Sequence, residues 1–169
     1  FPVSHGKLFL FGINNLLTYH YLIAELFIFW NEMKINDFYN LEIKNQADII
    51  WKELFIKRSP ISEACQGILT TCKLLGLHNE IKNRDLNAIR IFFNKIQNKE
   101  EYIEKIFKLS KVKYTIMTNK IFNKEEVDYW EKNNYKKLSN CFKTSLRIDE
   151  LIFNWKNTIH FIKKYKYKL

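Results

Sequence analysis

Apolar residues recur every three or four positions through most of the first 110 residues, which is the spacing of one helix face. The spacing predicts helices over about Ile13–Glu32, Asn45–Lys57, Pro60–Leu75, Asp85–Ile96 and Lys99–Leu109. Between the first two, residues 33–44 are mixed and polar, and they are interpreted as a loop. The region 12–110 is therefore expected to be almost entirely helical.

The third of these helices has the clearest start and stop signals. Ser59 is a suitable N-cap, Pro60 fits the first turn, and Glu63 brings negative charge to the helix N-terminus. Gly76 follows the last apolar position and is a typical helix terminator.

The pattern changes after residue 110. Val112–Met117 is a β-branched and aromatic run that predicts a strand ending at Thr118-Asn119-Lys120, and Lys143–Ile148 is a second strand candidate ending at Asp149. Helices are predicted from about Lys124, with Val127 and Trp130 facing inward, and over about Glu150–Ile162. A strand, a helix and a second strand within this distance favour a βαβ unit with parallel strands.

The fold class predicted for the chain is α/β, with one helix-rich domain over 1–169 that has βα units from about residue 111. Parallel strands need a buried sheet with helices on its faces, and two strands do not make such a sheet alone. Either residues 1–11 contain an unrecognised strand, or the chain is part of a larger barrel or sheet.

Composition agrees with a helical globular chain. The 169 residues are 47% hydrophobic and include only four Gly and two Pro. The net charge of +10 has two interpretations, an anionic partner or a solvated basic surface. The lysines are spread along the chain, which favours the second, so a nucleic-acid partner is not expected. The basic tail Lys163–Lys168, with its interleaved tyrosines, is the exception suited to phosphate contacts.

Cys65, Cys72 and Cys141 form no CxxC pair, and their odd number without a secretory segment indicates reduced thiols in a cytoplasmic protein. A membrane-spanning segment is not expected, because Glu25 interrupts the apolar run Leu22–Trp30. The chain begins with Phe1, so a fragment and a processed product are both open interpretations.

Candidate site residues lie at the ends of the predicted strands, where parallel α/β folds gather their functional groups. Thr118 and Asn119 follow the first strand, and turn formation or helix capping explains them equally well. Arg147 and Asp149 end the second strand. The two residues are interpreted either as a local ion pair or surface residues, or as part of a binding site. In a binding site, the planar guanidinium of Arg147 suits a substrate carboxylate or phosphate.

A second candidate region is Gly12–Glu25, where two tyrosines flank a histidine inside an apolar helical pattern. His20 suits a general acid or base, a metal ligand or a core position. Tyr21 suits a proton donor to a sugar oxygen or an aromatic packing residue. Tyr21 and Glu25 share one helix face because they are four residues apart.

Three short motifs together resemble the uronate isomerase (glucuronate isomerase) branch of the amidohydrolase superfamily. Leu17-Thr18-Tyr19-His20-Tyr21 resembles the His-Tyr motif after the first barrel strand of that family. Met117-Thr118-Asn119 resembles its Thr-Asp-Asp-Pro strand end, and Leu146-Arg147-Ile148-Asp149 resembles its Arg-Pro-Asp strand end. The motifs occur in the family's order and cover most of the chain.

The resemblance implies the N-terminal portion of a (β/α)8 barrel, with a helical insertion, that interconverts aldose and ketose forms of a uronic acid. By this resemblance Arg147 holds the substrate carboxylate, with Asp149, Thr118 and Asn119 beside it, while His20 and Tyr21 act on the sugar oxygens. The family uses a divalent metal such as zinc, which polarises a substrate oxygen. The isomerisation itself is acid–base catalysis through an enediol.

The chain departs from the family pattern at its metal ligands. The family's His-x-His pair has no counterpart here apart from the single His5, and the later Asp ligand has none, so no metal ligand is assigned. The site is therefore expected to be incomplete within these residues. A non-catalytic basic helical binding module and a truncated inactive remnant remain alternatives, and self-association of two chains remains open as a way of closing a barrel.

Overall fold

The structure is a computed structural model that describes residues 11–119, 128, 140–146 and 148–164. For residues 99, 117–119, 144 and 146 it describes the backbone alone. The chain divides into two compact units, Leu10–Gln97 and Asn98–Leu169, which are considered separately.

The first unit is helical throughout its regular structure. Its elements are α1 (Ile13–Leu17), α2 (His20–Phe29), α3 (Ile35–Tyr39), α4 (Ile43–Ile50), a π-helix (Trp51–Ile56), α5 (Glu63–Leu74), α6 (His78–Lys82) and α7 (Leu86–Asn94). The predicted helical character of this region is correct. The short helices α3 and α6 were not predicted, because five residues are too few for a periodic pattern to emerge.

The core of the first unit is built from large apolar side chains of successive helices. Leu17, Leu26 and Phe38 are fully buried, together with Ile50 from α4. Phe38 meets the rings of Phe27 and Trp30 edge-on, at centroid distances of 5.4 and 6.4 Å. A five-residue helix such as α3 is too short to be stable alone, so we infer that the packing of Phe38 holds it in place.

The long helix predicted over Ile13–Glu32 is instead two helices with a break at Thr18 and Tyr19. The Thr18 hydroxyl donates to the carbonyl oxygen of Asn14 at 3.0 Å, the local bond with which threonine competes against helix continuation. Tyr19 has extended backbone angles and becomes the residue before α2. His20 therefore begins a helix and does not lie in the middle of one.

The predicted helix Asn45–Lys57 has nearly the right extent, but its second half is a π-helix. The backbone N–H of Lys57 donates to the carbonyl of Lys52 at 2.9 Å, five residues back. Trp51 stacks on Phe55 with ring centroids 4.7 Å apart. The buried Glu53 pairs with the Lys57 ammonium at 2.7 Å, and the Glu53 carboxylate raises the pKa of Lys57.

Arg90 on α7 joins three helices of the first unit through its guanidinium. It donates from Nε to Asn14 Oδ1 at 2.8 Å and pairs with Asp48 Oδ1 at 2.6 Å. It also donates to the carbonyl oxygen of Lys44 at 3.3 Å. The five donors of a guanidinium, fixed in one plane, allow a single side chain to serve three partners.

The predicted start of the third helix was wrong by three residues. Ser62, not Ser59, is the N-cap of α5, since its hydroxyl oxygen accepts from the Cys65 N–H at 3.1 Å. Glu63 then occupies the first helical position. The predicted end is correct, because Gly76 has a φ of +89°, a left-handed conformation that glycine adopts at little cost.

The second unit contains the helix α8 (Lys99–Ser110), the strands β1 (Thr115–Asn119) and β2 (Phe142–Leu146), and the helices α9 (Asp149–Phe153) and α10 (Trp155–Lys164). The strands pair in parallel, with Thr115 opposite Phe142 and Asn119 opposite Leu146. The predicted parallel pairing is confirmed. The Phe107 ring of α8 packs edge-on against Phe142, 5.5 Å between centroids.

Strand boundaries in the second unit differ from the prediction. β1 begins three residues later than Val112 and includes Thr118 and Asn119, and β2 ends at Leu146 instead of Ile148. The predicted final helix is divided at Asn154. The helix predicted from Lys124, with Val127 and Trp130, lies outside the described residues apart from the helical Asp128.

The helix-rich α/β character is thus established, and the single partial barrel domain over 1–169 stays a prediction. Across the described ranges, no helix is both long enough and apolar enough to span a bilayer.

Candidate functional site

The first part of the candidate site is a cluster of three rings at the start of α2. The His20 ring lies between those of Tyr19 and Tyr21, at centroid distances of 4.2 and 4.3 Å, and the two tyrosine rings are 5.4 Å apart. His20 is exposed, and Tyr21 retains 61% of its accessible surface. The core interpretation of His20 is therefore wrong. The Tyr21 ring contacts both neighbouring rings, so its packing interpretation stays open beside that of a proton donor.

Glu25 lies one turn after Tyr21 on α2, as their spacing predicted, and connects this helix to α5. The Ser62 hydroxyl donates to Glu25 Oε2 at 2.7 Å. The Cys65 sulfur lies 3.9 Å from Glu25 Oε1. The half-buried carboxylate is thus held at the N-terminal end of α5, where the helix dipole favours negative charge.

The surroundings of the Cys65 thiol follow from this arrangement. Burial raises the pKa of the Cys65 thiol, and the nearby negative charge of Glu25 acts in the same direction. On the next turns of α5, burial raises the pKa of Cys72 to about 11. Both side chains are fully buried, so neither thiol has the low pKa and exposure of a reactive cysteine.

A groove of about 980 Å³ runs between α2 and α5 beside the ring cluster. Tyr21, Ala24 and Ile28 line one wall, and Gly67 and Ile68 line the other. Glu25, Ser62 and Glu63 supply the polar groups at one end. Its size lies within the range of about 300–1,000 Å³ that is common for small-molecule sites.

Ser62 and Ala24 are groove residues that the sequence prediction missed. For Ser62 a signal existed, because a serine directly before a glutamate and an apolar periodic run is a typical N-cap. No sequence signal linked Ser62 to Glu25, since 37 positions separate them.

The predicted strand-end residues lie in the second unit. Thr118 and Asn119 are the last two residues of β1 itself, opposite Ser145 and Leu146, so the expectation that they follow the strand was wrong. Asp149 is the first residue of α9 and is exposed. Arg147 lies outside the described residues.

The structure therefore brings the predicted residues together in two groups. His20 and Tyr21 are neighbours in the first unit, and Thr118 and Asn119 are neighbours at one end of the parallel pair. The assignment of a joint site across these groups, with Arg147 and Asp149, stays a prediction.

Among the residues that the structure describes, no group of three or more His, Cys, Asp and Glu side chains is placed to hold a metal ion. His20 in particular has aromatic neighbours on both sides. The divalent metal that the resemblance implies stays an expectation for this chain.

Comparison with known proteins gives one strong match. No family model and no curated protein sequence matches the chain. The crystal structure of a uronate isomerase from Bacillus halodurans C-125 matches 95% of this chain at 39% sequence identity, with a TM-score of 0.81. This chain is similar to part of a uronate isomerase. The resemblance predicted from the three short motifs is thereby confirmed.

The match covers 36% of the length of the Bacillus halodurans protein. The helix-rich unit and the small parallel sheet therefore correspond to a portion of a uronate isomerase structure. The sequence identity is 39% across nearly all of the chain. The similarity to the uronate isomerase is therefore one of sequence as well as of fold.

Proposed function

We propose that this chain serves in a uronate isomerase, an enzyme that interconverts the aldose and ketose forms of a uronic acid such as glucuronate. The observation that carries the proposal is the 39% identity to a uronate isomerase over 95% of the chain, with a TM-score of 0.81. In this proposal the chain forms the N-terminal portion of a (β/α)8 barrel, with the helical unit inserted after the first strand.

The proposed reaction moves a hydrogen between two neighbouring carbons. A base removes the proton from C2 of the aldose while the C1 carbonyl oxygen gains a proton, which gives an enediol. Return of a proton to C1 and loss of the proton on the C2 oxygen then give the ketose. No oxidant or reductant is consumed, because one carbon is reduced as the other is oxidised.

We assign Tyr21 and His20 to proton transfer at the sugar oxygens. The support is their exposure and their adjacent rings, with Tyr21 lining the α2–α5 groove and His20 next to it in the ring cluster. Arg147 is assigned to the substrate carboxylate, because a planar guanidinium binds a carboxylate through two parallel hydrogen bonds. Asp149, Thr118 and Asn119 are proposed to complete the substrate-binding edge.

A divalent metal such as zinc, when bound, would polarise a substrate oxygen.

A chimeric enzyme tests the proposal. The matched segment of the Bacillus halodurans uronate isomerase is replaced by residues 1–169 of this chain, and conversion of glucuronate to its ketose is measured by sugar analysis. We expect turnover by the chimera and a large loss of turnover in the Arg147→Ala variant.

The matched control is Arg58→Ala, which removes an arginine from the first unit that lies 3.5 Å from the centre of the Phe29 ring. This variant should retain most of the turnover. A chimera that has the circular dichroism spectrum of a folded enzyme but does not convert glucuronate would contradict the proposal and favour a non-catalytic role.

A further inference from the structure

We propose that Glu25 is a specificity-determining residue that sets the direction in which a uronic acid lies in the α2–α5 groove. It accepts hydrogen bonds from the sugar hydroxyls and repels the carboxylate, which then points away from the Ser62 end. This inference rests on the proposed function, since it takes a uronic acid as the ligand.

Glu25 is held in place by a hydrogen bond from Ser62. The Ser62 oxygen accepts the Cys65 N–H, and the hydroxyl directs its single hydrogen to Glu25 Oε2 at 2.7 Å. Ser62 thus approaches Glu25 as a donor, which fixes the orientation of the carboxyl group at the start of α5.

Glu25 has hydrogen-bond acceptor positions left for a ligand. A carboxylate has about four acceptor positions, and Ser62 occupies one of those on Glu25. Among the residues that the structure describes, no Lys, Arg or His side chain forms an ion pair with Glu25. Sugar hydroxyls are donors that fit the remaining positions, because they bring no negative charge.

The charge of the groove favours one orientation of a uronic acid. The charged side chains that line the groove are Glu25 and Glu63, in a chain whose net charge is +10. A uronic acid carries its negative charge at one end and hydroxyl donors at the other. Because like charges repel more strongly in a partly desolvated groove than in water, the hydroxyl end is expected to face Glu25.

Tyr21 and Glu25 lie on the same face of α2. Tyr21 is one turn before Glu25 on the same helix, is exposed and lines the same groove. The exposed Ala24 also lines this wall, and its methyl group is small. A sugar ring held against Tyr21 therefore has its hydroxyl end within reach of Glu25 and of the proposed proton-transfer residue.

Saturation-transfer NMR on the 169-residue chain tests the inference without any turnover. The probes are methyl β-glucuronide and methyl β-glucoside, which do not isomerise and differ only in the carboxylate. In wild type we expect stronger transfer to the ring protons near the hydroxyl end than to H5, beside the carboxylate. Shifts of the Ala24 and Gly67 amide signals locate the ligand in the groove.

The Glu25→Gln variant should remove this difference between protons and increase affinity for the glucuronide several-fold relative to the glucoside. Glu63→Gln is the matched control, because it removes the same charge from the groove but leaves the Ser62–Glu25 pair in place. It should raise glucuronide affinity while the pattern of transfer is kept. Amide spectra of each variant check that the fold is retained.

The inference is overturned if wild type binds neither sugar, if H5 receives the strongest transfer, or if Glu25→Gln leaves the pattern unchanged. These outcomes are separate from the fate of the proposed function. A chimera that converts glucuronate, combined with any of them, removes the role of Glu25 alone. An inactive folded chimera, combined with the expected NMR pattern, removes the isomerase role and leaves a sugar-binding groove.

Discussion

The Ser62 hydroxyl donates to Glu25 Oε2 across 2.7 Å and so joins two helices whose contact residues are 37 positions apart. The same oxygen accepts the Cys65 N–H and caps α5. One small side chain therefore fixes the start of a helix and the orientation of the carboxylate that faces the groove.

Replacement of Ser62 by alanine should destabilise the first unit. The Ser62→Ala variant loses the N-cap of α5 and the hydrogen bond to Glu25, which together are worth roughly 1–3 kcal/mol of unfolding free energy. Urea denaturation followed by circular dichroism measures the change. Ser59→Ala is the control, since the Ser62 N-cap is unaffected, and an equal loss in both variants would argue against the assigned cap.

Replacement of Arg90 should destabilise the first unit, because its largely buried side chain joins three helices. Arg90→Met leaves Asn14 and Asp48 without the guanidinium, and because Asp48 is partly solvated we expect a loss of about 1–3 kcal/mol. Arg90→Lys keeps the charge but not the planar fork, so its loss should be similar or only slightly smaller. Chemical denaturation compares both with Lys95→Met, a surface variant that should change stability by less than about 0.5 kcal/mol.

The stability of the chain should fall in alkaline solution partly because of Cys72. Its folded-state pKa of about 11 lies above the ordinary value of 9.0, so the unfolded chain loses this proton first as pH rises. The contribution is complete below about pH 9 and is lost as pH approaches and passes 11, by up to about 3 kcal/mol.

The measurement is the unfolding free energy between these pH values in wild type and in Cys72→Ala. Tyrosine and lysine titrations are common to both proteins, so the steeper decline of wild type isolates the thiol. Parallel curves would show that Cys72 does not carry this dependence.

Loss of the Tyr21 hydroxyl should lower turnover of the chimeric uronate isomerase without unfolding it. Tyr21→Phe removes the proposed proton donor while the ring remains, and general acid–base groups typically contribute about 10²–10⁴-fold. Tyr21 is 61% exposed, so the thermal midpoint should barely change. Tyr39→Phe, at a tyrosine that is 54% exposed, is the control, and equal kinetics in both variants would exclude Tyr21 from proton transfer.

Helix positions in the first unit were largely predictable, and their interruptions were not. The apolar spacing around Leu17 and Leu26 predicts helices because burial requires those side chains on one face. The same spacing does not reveal that Thr18 bonds back to Asn14 and ends α1, nor that Trp51–Ile56 winds as a π-helix. These features depend on hydrogen bonds and ring stacking that the spacing of apolar residues leaves undetermined.

The strand region was predictable in kind but not in boundary. β-branched residues near Ile116 indicated a strand, and the intervening helical pattern indicated parallel pairing, which the pair β1–β2 confirms. The boundary moved because pairing with Phe142–Leu146 begins at Thr115 and continues to Asn119. Strand ends depend on the partner strand, so sequence preference around Val112 did not decide them.

The amino-acid sequence by itself determined the helix-rich α/β character, the side-by-side placement of His20 and Tyr21, and the resemblance to uronate isomerases. Each of these follows from residues that are close together in the chain or from short motifs. The tertiary structure alone decided that Ser62 holds Glu25, that Arg90 joins three helices, and that α2 and α5 leave a groove between them. The physical reason is that such contacts join residues distant in sequence, and only packing of the whole unit brings them within hydrogen-bond distance.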